Sequence, residues 1–301
     1  MGEALAKRME ELTGRRESFV RATVVRAQRP TSAQAGDTAL VHANGEIDGF
    51  VGGNCVEASV RQYALQVLST HEPLLLRVVP GEPSHIHEEG AVQVSNPCLS
   101  GGAIEIFLEP QLPAPRVLVV GATPLALALA SLGVGVGLEV ELTDGISAEP
   151  RADDAALIVA SHGKEEEPAL EAALRVGVPY VALVASEKRG AAVLASLDVD
   201  DEQRSRVHSP AGLELGARTP GEIALSILAQ LISERAPIRT AETVAEPGIA
   251  IAIAIDPVCG MSVSAVEATL HVEHNGVVVY FCSASCRASF LATPERYAVA
   301  S

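Results

Sequence analysis

Arg116-Val-Leu-Val-Val120-Gly121-Ala-Thr-Pro-Leu-Ala126 is the stretch that decides the fold. An arginine and four apolar residues end at a glycine, and a Thr-Pro pair then opens a second apolar run through Leu132. This order is a strand, a tight turn and a helix with proline in its first turn. A further strand, Leu138–Leu142, leads to Asp144. The uncharged run Val117–Leu138 is long enough to span a bilayer, but Pro124 and its glycines parse it as a buried βα unit instead.

The alternation continues with Leu157–Ala160 as strand, Pro168–Val176 as helix, Tyr180–Val184 as strand and Lys188–Leu197 as helix. Thr219-Pro-Gly-Glu222 is a capping box that opens another helix. A parallel, Rossmann-like sheet is the expected architecture, with an acidic residue about 20 positions past the glycine turn. The dinucleotide fingerprint is damaged, since Thr123 and Ala126 stand where glycines belong. Gly121, Asp144 and His162, which lies just past a strand end, would share the rim where such sheets bind ligands.

Before this domain, Glu109-Pro-Gln-Leu-Pro-Ala-Pro115 reads as a stiff linker. Upstream lies a mixed α+β region: an opening helix, strands at Phe19–Ala27, Thr38–His42 and Glu46–Phe50 around the Asn44-Gly45 hairpin signal, then Leu74–Val79 and Ala103–Leu108. Its chemical centre is Phe50-Val-Gly52-Gly53-Asn-Cys55-Val-Glu57. The glycines permit a turn, Asn54 and Glu57 have capping-box spacing, and the following apolar residues recur at helical period. Cys55 then falls in a first helical turn, a position that favours thiolates and anions. Asn96–Glu105 repeats the grammar with Cys98, Gly101 and Gly102. His85, His87, Glu88 and Glu89 form a polar loop read as solvated surface.

The C-terminal module, 254–301, carries Cys259 after a proline turn and Cys282 and Cys286 at helical spacing. Thiols so grouped select zinc or copper, with His271 or His274 as a fourth ligand or neither, and a metal would help so small a module fold. The expected domains are therefore 1–112, 113–236 and 254–301.

Composition narrows the function. The chain has 301 residues, 48% hydrophobic but only 3% aromatic, so its cores must be aliphatic. A formal net charge of −16 argues against nucleic acid and anionic membranes. Five cysteines, an odd count with three near the C-terminus, suit reduced thiols and metal ligation more than disulfides. The polar N-terminus lacks an apolar signal core, and a cytoplasmic location is expected.

Several motifs together resemble the XdhC/CoxI family: Gly52-Gly53-Asn-Cys55-Val-Glu57, Cys98-Leu-Ser-Gly101-Gly102, Phe107-Leu-Glu-Pro110, Val120-Gly121-Ala122, Ser161-His162-Gly163 and Gly212–Ser226. The match covers roughly residues 15–235 in the family's order. The tail, with Asp256-Pro-Val-Cys-Gly-Met261 and Phe281-Cys-Ser-Ala-Ser-Cys286, resembles a YHS domain. In the more common form of the family the cysteine directly follows the paired glycine, whereas here Asn54 intervenes.

The resemblance implies a cofactor chaperone more than a catalyst. Such proteins bind the molybdenum cofactor (molybdopterin), hold it during sulfuration by a cysteine desulfurase and pass it to an apo molybdenum hydroxylase of the xanthine or carbon monoxide dehydrogenase type. Gly52, Gly53, Cys55, Glu57, Cys98, Gly101, Gly102, Gly121, Asp144 and His162 are the implied cofactor-binding residues, and Cys259, Cys282 and Cys286 the metal ligands of the tail. A homodimer is compatible with this reading. The alternatives are an NAD(P)-dependent oxidoreductase built on the middle domain and a metal-trafficking or sensing protein dominated by its tail.

Overall fold

The computed structural model describes residues 2–81, 88–96, 101–235 and 252–297, so Cys98, His85 and His87 lie outside the described residues. The chain divides into two units, one formed by Met1–Pro113 with Val244–Ser301, the other by Ala114–Thr243.

In the first unit, α1 (Glu3–Gly14) sets Leu12, Leu5 and Met9 against Phe19 and Leu40. The sheet contains β1 (Phe19–Gln28), β2 (Thr38–His42), β3 (Ile47–Gly49), β4 (Leu74–Pro80), β5 (Ala91–Asn96) and β6 (Ala103–Gln111), in the order β3-β2-β1-β6-β4-β5. All pairings are antiparallel except β4 with β5. Gly45, at φ +86°, closes the β2–β3 hairpin. The helix α2 (Asn54–Thr70) covers one face. Its Val56, Val60, Ala64 and Val67 meet Val20, Ala22, Val24, Leu76, Val78, Ile104, Ile106 and Leu108. A helical period thus packs on an alternating strand period, burying an aliphatic core.

β6 runs three residues further than the sequence suggests, so part of the expected linker is strand. Pro110 is tolerated because the β4–β6 pairing ends at Leu74 and Leu108, leaving only β1 as a neighbour there. The strand β5 is unexpected altogether, since Ala91–Asn96 carries Gln93 and Ser95 among its apolar residues and sits at a sheet edge.

The second unit contains β7 (Arg116–Val120), α3 (Pro124–Gly135), β8 (Glu139–Thr143), β9 (Ala156–Val159), α4 (Glu166–Val176), β10 (Tyr180–Leu183), α5 (Glu187–Ser196), α6 (Asp201–Ser205), β11 (Val207–His208) and α7 (Pro220–Arg235). Its sheet is parallel throughout, in the order β11-β10-β9-β7-β8. Val117 and Val119 face a core shared with α3 and α7, whereas Leu118 and Val120 face a core shared with α4. Burial on both faces is why β7, β9 and β10 are almost wholly apolar. Among the described residues, no helix is long and apolar enough to cross a membrane.

The tail returns to the first unit with β12 (Ile253–Ile255), β13 (Ser262–Ser264), β14 (Leu270–His274), β15 (Val277–Phe281) and α8 (Ala284–Ala292). β12 pairs with β13 and β14 with β15, both antiparallel. Phe290 fills its small core against Val279, Phe281 and Tyr297. Val263 and Cys282 then pack with Ala58 of α2 in a second cluster. A Cβ on Gly45 would meet the Val266 side chain at 3.0 Å, so the hairpin tip also accommodates the tail.

Candidate functional site

The head of α2 is built by two glycines with different duties. Gly52 has φ +142°, where a side chain would be strained, and a Cβ there would press on Val56 at 3.0 Å. Gly53 is exposed, has nothing within 4 Å of an added Cβ, and is the N-cap. Asn54 is therefore the first helical residue rather than the cap, and the expected Asn54–Glu57 capping box does not form. The backbone supplies the cap instead: the Val56 and Glu57 N–H groups both donate to Gly53 O. The Asn54 and Cys55 amides precede these bonds, at the positive end of the helix.

Cys55 is half-buried. It packs against the cluster of Ala58, Val263 and Cys282, which Ala254, Met261, Tyr280 and Cys286 of the tail also border. The Asp256 carboxylate and the sulfurs of Cys259, Cys282 and Cys286 lie within 4.8 Å of one another. Sγ of Cys259 is 3.5 Å from Sγ of Cys282, which is 3.7 Å from Sγ of Cys286. A hydrogen bond with Cys55, followed by burial, pushes the Cys282 thiol up, whereas burial is the main cause for Cys259 and Cys286. His271 and His274, considered above as fourth ligands, do not join this group. The His271 ring bonds Thr269 O at 2.8 Å, and the His274 ring meets Phe290 edge-on.

Asp256 is the residue that sequence reasoning missed. It is fully buried, and its two oxygens accept from Val258 N–H (2.9 Å) and Cys282 N–H (2.8 Å). It thereby ties the Cys259 turn to the strand end bearing Cys282. The available signal was an Asp-Pro pair just before a cysteine, a common turn opening. Ser283 caps α8 by accepting from Cys286 N–H, which fixes the third cysteine in the first turn.

Beside this cluster lies a cleft of about 290 Å³. Ser59, Gln62 and Tyr63 of α2, Val94 and Ser95 of β5 and the turn Cys259–Ser262 line it. Gly102, expected to admit a cofactor, instead faces its own chain: a Cβ would come within 2.0 Å of Pro30 O. Gly101, at φ +67°, has open space.

In the second unit, Gly121, Asp144 and His162 line one cavity of about 700 Å³ with Thr123, Ser161 and Lys164. Gly121 is required there, since a Cβ would meet Ala160 O at 2.6 Å. Thr123 occupies the turn chemically: its hydroxyl donates to Ala160 O and accepts from Ala126 N–H, capping α3. Replacing it with alanine is expected to cost about 1 kcal/mol, read as a lowered urea midpoint. Asp144 is spent on its own loop, accepting from Ile146 and Ser147 amides and the Ser147 hydroxyl, bonds that hold its carboxyl below the usual range. His162 sits in a left-handed conformation at φ +58°. Beneath it, the buried Glu166 accepts from Ser161 Oγ (3.2 Å), Gly163 N–H (2.8 Å) and the Arg189 guanidinium (2.5 Å).

A parallel-sheet domain of the Rossmann type, joined to a mixed sheet bearing a glycine-headed helix and a cysteine-rich tail, defines the class. The model described as the XdhC Rossmann domain matches residues 117–231, and that of the XdhC and CoxI family matches residues 12–79, together more than half of the chain. The chain belongs to this family, and residues 254–301 match the YHS domain. One relative, the uncharacterized protein YqeB of Escherichia coli (strain K12), is 26% identical over 221 residues, or 64% of this chain and 39% of YqeB. The chain thus spans about two fifths of that relative's length. A crystal structure described as a xanthine dehydrogenase from Bacillus halodurans superposes with a TM-score of 0.39 at 17% identity, covering 79% of this chain and 97% of that one. So slight a likeness carries no functional weight.

Proposed function

We propose that this chain is a maturation factor that binds the molybdenum cofactor, supports its sulfuration with a cysteine desulfurase, and delivers it to an apo molybdenum hydroxylase. Family membership supports the role in general. The observation that carries it to particular atoms is the head of α2. There an exposed Gly53, two amides ahead of the first intrahelical bonds and a cysteine occupy one helical turn. A helix start of this kind suits a phosphate-bearing group, and a thiol suits a soft metal centre. Gly53, Asn54 and Cys55 would hold the cofactor, with Glu57 one turn behind. Once bound, the cofactor supplies a metal centre able to carry a sulfido ligand. This chain's own part is to bind it, shield it and release it.

The dinucleotide oxidoreductase reading finds less support. Thr123 fills the turn that a pyrophosphate would approach, and Asp144 is engaged by its own loop rather than turned toward a ribose.

The test is to produce the full chain in cells that make the cofactor and to assay bound molybdopterin by its fluorescent oxidation product. Wild type should retain it, and the Cys55→Ser, Cys98→Ser double variant should lose it. Wild-type protein free of pterin overturns the proposal. Full retention by the double variant removes both thiols from the mechanism.

A further inference from the structure

We infer that two copies of this chain associate through the outer face of the α3–α7 helix layer of the second unit, helix pair against helix pair about a two-fold axis. The observation behind it is a helix with nothing to keep it in water. α3 carries no charged residue, and the core beneath uses only one side of it, burying Leu125, Ala126, Leu129 and Gly133. A helix apolar on every side is ordinarily buried on every side. Yet Leu127 and Val134 are 56% and 71% exposed. α7 packs beside α3 over the same core and repeats the pattern, with Leu225 and Ile232 56% and 43% exposed. Ser131 and Ala229 stand between the large residues of each pair. Both helices therefore show large, small, large at i, i+4 and i+7, a relief into which another helix can seat.

The face continues onto the loop before α7. Leu213 N–H donates to Ser226 O, which brings the exposed Leu213 and Leu215 up to the first half of that helix. These six side chains leave roughly 600 Å² in water, the top of the range for the largest apolar patch of a monomer. One side of a standard dimer interface is about 800 Å², some 60% of it apolar, so the patch supplies the apolar area a stable dimer needs.

Its polarity selects the occupant. The chain carries a net charge of −16, and an outside partner would be steered to it by basic groups. The stripes offer such a partner no counter-charge. Of the acids on α7, Glu222 is held by the Arg218 and Thr219 amides and Glu234 by His208. A second copy brings the same uncharged stripe, and a two-fold axis makes the patch its own complement. The neighbouring sheet edge does not serve instead. Glu141 stands at the centre of β8, and pairing two such strands about a two-fold axis would set that carboxylate against its copy. The association does not depend on the proposed cofactor role, and its test contains no cofactor.

The experiment is analytical ultracentrifugation of the full chain, reduced, between about 1 and 100 µM, the span in which an interface of this size assembles. Wild type should sediment with twice the chain mass. Leu127→Glu and Leu225→Glu should each sediment as monomers throughout, a weakening of at least about a hundredfold, because each puts a charge into a dry contact. Leu127→Ser, a milder change, should weaken association by about tenfold. Leu291→Glu, at a comparably exposed leucine of the tail, should leave the dimer intact. Circular dichroism of the variants should match wild type, since these side chains are already in water in the single chain. A wild type that stays monomeric over this range overturns the inference, whether or not it binds vesicles or captures another protein. So does undiminished association in the folded glutamate or serine variants, and so does equal loss with Leu291→Glu.

Discussion

Glu166→Ala is expected to destabilise the second unit by about 3 kcal/mol, the lower end of the range for breaking a buried ion pair. The side chain is 2% exposed and holds three donors. Removing it leaves the Gly163 amide and the Ser161 hydroxyl without their acceptor and Arg189 without its counter-charge. The low end applies because the Arg189 side chain is 36% exposed and also donates to Val184 O. Glu166→Gln keeps a neutral acceptor and should lose about half as much. Urea unfolding of the full chain followed by circular dichroism provides the measurement. The loop 161–165 should also exchange its amide hydrogens faster, since Glu166 restrains His162 and Glu165, both in left-handed backbone. A midpoint within experimental error of wild type would mean that the ion pair contributes nothing.

Asp256→Ala should have an effect of similar size on the first unit, again about 3 kcal/mol, because a buried and a half-buried backbone amide lose their acceptor, a fully buried carboxylate. It should also weaken cation binding by about tenfold to a hundredfold, as expected when a residue that orients ligands is removed. Asp256→Asn is a sharper probe. It retains one acceptor oxygen but turns an NH₂ group toward the other amide, so it should fall between wild type and alanine. Differential scanning fluorimetry with and without Zn²⁺ separates the two effects. An alanine variant with wild-type stability would make the buried carboxylate a bystander.

Much of the architecture was legible because aliphatic periodicity is unambiguous where both faces of a sheet are buried. Arg116–Val120, Leu157–Ala160 and Tyr180–Val184 read as strands from the sequence, and the structure pairs them in parallel within a residue of those bounds; the Thr219–Glu222 capping box forms, since Glu222 accepts from the Arg218 and Thr219 amides and donates its own to Thr219 Oγ1. The failures have a common origin in context. β5 is a polar edge strand, Pro110 is allowed by a missing neighbour, and Asn54 is displaced from its cap by a glycine whose extended backbone needs no side chain. At the candidate site, the three tail cysteines could be grouped from spacing. The packing of Cys55 against the cluster that holds Cys282 could not, because some 200 residues separate α2 from the tail and no local pattern records a long-range contact.

The first unit is discontinuous, with the whole of Ala114–Thr243 inserted between its two parts. During synthesis the ribosome must therefore finish the inserted domain before the strands that cover Ala58 and Cys55 exist. A nascent chain that has reached only Thr243 carries α2 with this small apolar and thiol-bearing patch uncovered, and a stop codon near that point would release it in the same state. Premature termination would thus yield a product with an intact second domain and an exposed, oxidisable cysteine on the first.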